Sequence, residues 1–262
     1  MKEINQEELK TIQLDILKSV ADYCEANGLI YFLGYGTLLG AVRHKGYIPW
    51  DDDIDILMPR PSYEKLLKGF NNNSKTIKAI DFSLNPDYPL PFAKVYDCRT
   101  MLSEDFYKDK PTYGIYIDIF PLDGFRNLSN VKKIVRLNKY LNSKKALIDG
   151  KRSFAKNVII GIGKILLMFT SKSKIINKMQ RIAAEVPYEK SDKICSMFSP
   201  YSVKEVCDKT LLEETIMGEF EGFEFRIPKN YDTYLRMIYC DYLKLPPVEK
   251  RVAHHTFTAW WI

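Results

Sequence analysis

The chain has 262 residues, 46% hydrophobic and 27% charged, with a net charge of +6. That is enough apolar surface for a sizeable core, and it excludes intrinsic disorder and disulfide-held miniproteins; with no internal repeat visible, solenoids are excluded too. No uncharged apolar run reaches bilayer-spanning length, MKEINQEELK at the start lacks a signal-peptide core, and five scattered cysteines without CxxC spacing read as reduced thiols, so a cytoplasmic protein is expected.

Leu9, Ile12, Ile16, Val20 and Tyr23 fall at helical spacing and predict a helix over 5–26, stopped by Gly28. A short strand is expected at Ile30–Leu33, then a helix at Thr37–His44 after a glycine turn. Asp53–Met58 alternates acid and apolar like a strand, and Pro61 opens the next helix. Thr76–Phe82, Phe92–Asp97 and Tyr113–Phe120 read as strands, and 129–186 as mostly helical. A hairpin over Glu219–Ile227 and a helix over Tyr231–Tyr239 complete the pattern, with Pro246-Pro247 ending it. Strands gather early and helices later, which predicts an α+β fold.

The charge is unevenly spread. Arg126–Arg181 holds 15 Lys plus Arg and one acid, Asp149, for +14, while the remainder has 24 bases against 32 acids, for −8. The same segment contains the apolar run Val158–Phe169, too short to span a bilayer. It reads either as a buried helix with a basic edge or as a platform for an anionic membrane surface or polyanionic substrate. No aromatic-interleaved basic motif supports nucleic acid.

The chemistry concentrates in GYGTLLGAVRHKG (34–46) and the following YIPWDDDIDI (47–56). On a strand, Asp53 and Asp55 face the same way, and two carboxylates so placed repel unless a cation joins them. Mg²⁺, which takes few protein carboxylates plus substrate phosphate oxygens, resolves that conflict. Asp51, Asp53 and Asp55 have the opening spacing of an EF-hand, but the positions that need Gly and Glu hold Ile56 and Ser62. Gly34 and Gly36 after a strand suit close approach of a phosphate to a helix N-terminus. No Gly-Lys-Ser/Thr follows, and Gly40 is one place late for a dinucleotide fingerprint. Asp118, between isoleucines, is costly to bury unpaired and is the expected third carboxylate and candidate base. Arg43 is placed to clamp phosphate, and Lys94 sits oddly within a strand; His44 reads as structural. His254-His255 is not spaced as a zinc site.

GTLLGAVRHKGYIPWDDDIDI, IDIFPLDGF and YLRMIYCDYLKLPPVEKRVAHH together resemble the LicD family of phosphorylcholine transferases, with similarity to fukutin-related transferases. The resemblance runs in three blocks from about residue 30 to the C-terminus and leaves the basic middle uncovered. It implies a nucleotidyltransferase-like mixed-sheet core over 1–125, a basic helical insertion over 126–190, and 191–262 completing the core. It implies one or two Mg²⁺ held by Asp53, Asp55 and Asp118, with Arg43 or Lys94 stabilising the transferring phosphoryl group. Thr37 stands where many such enzymes have serine, and Cys240 where a glycine is expected before Asp241.

The implied reaction moves phosphocholine from CDP-choline, or another CDP-alcohol, to a sugar hydroxyl of a teichoic acid or cell-surface glycan precursor, releasing CMP. A lipid-linked acceptor would place the protein on the inner face of the plasma membrane. Gly36, Thr37, Lys94, Tyr35, Trp50 and Asp241 are expected around the substrate, and the aromatic residues Tyr35, Tyr47, Trp50 and Tyr116 are candidates to face choline. Two rival readings stay open: a nucleotidyltransferase that releases pyrophosphate, and a non-enzymatic protein binding polyanions.

Overall fold

The computed structural model describes residues 1–104, 113–146, 171–252 and 257–262. β1 (Lys2–Ile4) leads into α1 (Gln6–Ala26), whose start is fixed by a capping box between Asn5 and Glu8. Its buried stripe is Leu9, Ile12, Ile16, Leu17, Val20 and Cys24, and Gly28 turns the chain away at φ +61°. β2 (Phe32–Leu33), α2 (Tyr35–His44), β3 (Asp55–Pro59) and α3 (Arg60–Gly69) follow, then β4 (Ile77–Ile80), β5 (Ala93–Asp97), β6 (Thr100–Glu104) and the nine-residue β7 (Tyr116–Gly124). α4 (Leu128–Ala146) and α5 (Lys172–Ala183) come next. β8 (Lys193–Cys195), β9 (Cys207–Asp208) and α6 (Thr210–Glu213) lead to the hairpin β10 (Thr215–Phe220) and β11 (Phe223–Pro228). α7 (Tyr231–Tyr239) and β12 (Phe257–Trp261) close the chain.

The central sheet has the order β2-β3-β7-β5-β4, and β8 and β9 extend it from the far end of β7. β3 and β7 run parallel, while β2, β5 and β8 join antiparallel, so the sheet is mixed and the fold is α+β. Ile56, Leu57, Ile117 and Ile119 are fully buried, as central strands covered on both faces require. Asp55 and Asp118 interrupt this apolar pair side by side, in register.

Most expected elements form, with shifted ends. α2 begins two residues early, at the glycine turn itself. β3 begins at Asp55, so Asp53 lies in the loop before the strand rather than in it. β7 starts at Tyr116 but runs on through Pro121 to Gly124, because Pro121 pairs with Met58 on the parallel side. Strands β1, β6 and β12 were not expected; they form a separate antiparallel sheet in the order β1-β12-β6.

α4 and α5 build a second, smaller hydrophobic cluster from Val131, Ile134, Ile175 and Met179, completed by Cys195 at the end of β8 and by Met197 and Phe198 just after it. It is tied to the main sheet by a buried ion pair: Arg60, opening α3, makes two bonds to Asp123 of β7, at 2.6 and 2.8 Å, and a third to Gln180 of α5. The apolar run Val158–Phe169 and the pair His254-His255 lie outside the described residues.

Candidate active site

A cavity of about 540 Å³ opens over the β3 and β7 ends where Asp55 and Asp118 stand abreast. Asp51, Asp53, Asp55 and Asp118 all line it. Asp53 and Asp55 therefore share a face as expected, although a loop and not strand alternation brings Asp53 there. Carboxylate oxygens of Asp51, Asp52 and Asp53 come within 4.8 Å of one another. Burial, and then the charges of Asp53, Asp118 and Asp51, push the Asp55 carboxyl well above the usual range, with Lys94 acting the other way. The close-set oxygen donors that a hard divalent cation favours are those of Asp51, Asp52 and Asp53 on the loop before β3; Asp55 and Asp118, expected with Asp53 to form the metal site, face the same cavity but stand outside that group.

Lys94 and Asp118 explain each other. They are neighbours across the β5–β7 pairing, and the Lys94 Nζ lies 2.7 Å from Asp118 Oδ1. The ammonium also sits over the Tyr116 ring. Lys94 is buried and does not line the cavity, so its charge acts on the carboxylate in front of it.

The turn before α2 positions the acids. The Thr37 hydroxyl accepts from the Asp55 backbone N–H at 2.8 Å, while Gly34 N–H donates to the Asp55 carbonyl at 2.9 Å. Thr37 is buried and reaches the site only through this bond. A Cβ at Gly36 would lie 2.6 Å from Asp51 Oδ2, so the close approach this glycine allows is by the Asp51 carboxylate. Arg43, in the last turn of α2, lines the cavity and donates to the Tyr242 carbonyl at 2.6 Å and to His44 Nε2 at 2.9 Å. Accepting that bond requires an unprotonated Nε2, in keeping with a His44 pKa lowered by burial and by Arg43.

The opposite wall comes from the C-terminal half: Pro200, Tyr201, Tyr239, Asp241, Tyr242, Lys244 and Pro246. Tyr201 and Tyr239 meet edge-on, centroids 5.5 Å apart, with hydroxyls hydrogen-bonded at 3.0 Å. Tyr35 lies 5.4 Å from the Tyr201 ring and edge-on to Phe120. Burial pushes the phenols of Tyr35, Tyr201 and Tyr239 above the ordinary value, so all three stay neutral.

Of the aromatic candidates, Tyr35 and Trp50 line the cavity and Tyr47 and Tyr116 do not. The Tyr47 hydroxyl bonds the Lys10 carbonyl and Gln13 on α1, and Tyr116 lies under Lys94. Asp241 lines the cavity, next to Cys240, whose φ of +61° is the backbone that a glycine takes more readily. Tyr201 was absent from the sequence reading because nothing in SPYS distinguishes it. Asp51 had a signal, as the first of three consecutive acids.

Comparison with known proteins fits this arrangement. Residues 28–149 match the family described as LicD/FKTN/FKRP, nucleotidyltransferase domain. The chain is 31% identical, over 99% of both proteins, to the lipopolysaccharide cholinephosphotransferase LicD of Haemophilus influenzae. Shorter matches reach an uncharacterised protein of Rickettsia typhi, 46% identical over 19% of this chain and 16% of that protein, and mannosyltransferase regulator 4 of Saccharomyces cerevisiae, 33% identical over 22% and 5%. With a relative matched along its whole length and a family match that contains Asp51, Asp53, Asp55 and Asp118, this chain belongs to the LicD family.

Proposed function

We propose that the protein transfers phosphocholine from CDP-choline to a sugar hydroxyl of a teichoic acid or other cell-surface glycan precursor, releasing CMP. The observation that carries this reading is the meeting of Asp53, Asp55 and Asp118 in one cavity, in a chain similar over its whole length to a cholinephosphotransferase. A hard divalent ion such as Mg²⁺, held by the carboxylates that face the cavity, would neutralise charge on the diphosphate. The protein residues orient the rest. Asp118, fixed by Lys94, aligns the acceptor hydroxyl and takes its proton as that oxygen bonds to the distal phosphorus. Arg43 faces the cavity to balance charge on the departing CMP as the P–O bond between the two phosphates breaks.

The test is thermal melting with CDP-choline, CDP-ribitol, CTP and CMP, each with and without Mg²⁺. A ligand at 100 times its dissociation constant adds about 2.7 kcal/mol. A Mg²⁺-dependent rise with CDP-choline that Asp53→Asn abolishes is expected, with CMP as the product. Pyrophosphate from CTP, or no response to any cytidine nucleotide, overturns the reading.

We also propose a seat on an anionic membrane surface. Lys133 and Arg136 of α4 and Lys174, Lys178 and Arg181 of α5 line two adjoining clefts. The one acid there, Glu185, is bonded to Arg126 and Asn130. No helix among the described residues is long and apolar enough to cross a membrane, so attachment through these helices would be peripheral. Flotation with vesicles rich in phosphatidylglycerol should exceed that with phosphatidylcholine and fall with Lys133→Glu/Lys178→Glu. Equal flotation on both refutes it.

A further inference from the structure

The cavity has two chemically different ends. Trp50 has the Arg251 guanidinium over its ring at 5.4 Å; burial lowers the Arg43 pKa, the Tyr239 phenol opposes this and Arg251 adds to it, so Arg43 stands within electrostatic reach of both Arg251 and Tyr239. That end repels a cation and suits nucleotide phosphate. The other end is bounded by the phenol rings of Tyr35, Tyr201 and Tyr239, close enough to Asp55 and Asp51 that those carboxylates help raise the Tyr201 and Tyr239 phenols.

We infer that Tyr201 and Tyr239, backed by Tyr35, form the seat of the donor's quaternary ammonium group. This rests on the cholinephosphotransferase reading above. The argument is one of reach and of charge. In a phosphocholine donor the cation is two methylenes and an oxygen from the phosphorus that moves, so with that phosphorus at the carboxylates the cation lands on the wall beside them. A trimethylammonium group donates no hydrogen bond, so it is held by negative ring faces. Tyr201 and Tyr239 stand at 79°, a corner that meets a rounded cation on two sides. Their mutual hydrogen bond fixes both rings. A cytosine base stacked in the same corner would donate its N4 amine to a carboxylate, so the experiment below has to separate the two occupants. Trp50, one of the four aromatic candidates from the sequence, has a guanidinium on its ring already.

The experiment measures dissociation constants for CDP-choline, for CMP, and for the CDP ester of 3,3-dimethylbutanol, the neutral carbon isostere of choline. Wild type is expected to prefer CDP-choline over the isostere by roughly tenfold. Tyr201→Leu/Tyr239→Leu should lose that preference and keep CMP affinity, and Tyr201→Phe/Tyr239→Phe should retain it. Fluorinated tyrosine placed at 201 and 239 preserves the fold while weakening the ring faces, so the preference should drop there even if the Leu pair fails to fold. Binding of CDP-choline without preference over the isostere overturns the seat and leaves the transferase reading standing. So does an equal loss of CMP and CDP-choline in the Leu pair, which would put the rings on cytosine. Wild type that binds no cytidine nucleotide removes both.

Discussion

Thr37 carries no charge and reaches no cavity wall, yet its hydroxyl accepts the N–H of Asp55 at 2.8 Å. Thr37→Val keeps the shape and leaves that N–H without its acceptor. It should cost about 1–3 kcal/mol in denaturant unfolding and lower turnover, whereas Thr37→Ser should retain both. At this scale the sequence was most readable where a residue looked out of place. A lysine inside a strand and an acid between isoleucines were two anomalies, and they are one ion pair. Cys240 was a third, and it occupies the left-handed backbone that a glycine would favour. What single residues did not reveal was reach: Lys94 acts on Asp118 from behind the cavity, and Gly36 makes room for a protein carboxylate.

β7 connects more of the molecule than any neighbour: β5 and β3 flank its first part, and its end carries Asp123 and pairs with β8. Asp123 is 1% exposed, and Arg60 is its bidentate partner. Arg60→Met should therefore destabilise by about 3–5 kcal/mol in chemical denaturation, since a buried carboxylate is left without its cation; Arg60→Met/Asp123→Leu should recover most of the loss. Elements with strong local patterns were legible: α1 from its apolar stripe, α7 from its spacing, the β10–β11 hairpin in part. β1, β6 and β12 were not, because each depends on partners far along the chain; Lys2 opposite Trp261 has no local signature. The start of β3 was misplaced because DDDIDI alternates before it enters the sheet.

At the scale of the molecule, Glu205 couples stability to pH. It is buried, accepts from the Ser199 and Tyr234 hydroxyls, and burial pushes its carboxyl up to about 8, with the Tyr35 and Tyr234 hydroxyls opposing. Between the ordinary value of 4.5 and about 8 the folded chain holds a proton that the unfolded chain has released. Raising pH through that window therefore removes stability, and the loss levels off once Glu205 ionises in the fold. The melting temperature should decline from about pH 5 to pH 8, and Glu205→Gln should flatten that decline; a parallel curve would exclude the assignment. The cavity itself has a division of labour along the chain. The family match at 28–149 contains four of the five cavity carboxylates and none of Tyr201, Tyr239, Asp241 or Tyr242. Under the proposed roles, the carboxylates at the reacting phosphorus and the rings of Tyr201 and Tyr239 at the cargo come from separate stretches of sequence, with Tyr35 the one part of the seat inside the family match. On that proposal, mutation of the two rings would retune what is carried without touching how it is transferred, and two relatives that agree across the acidic block would owe each other no agreement about the alcohol they deliver.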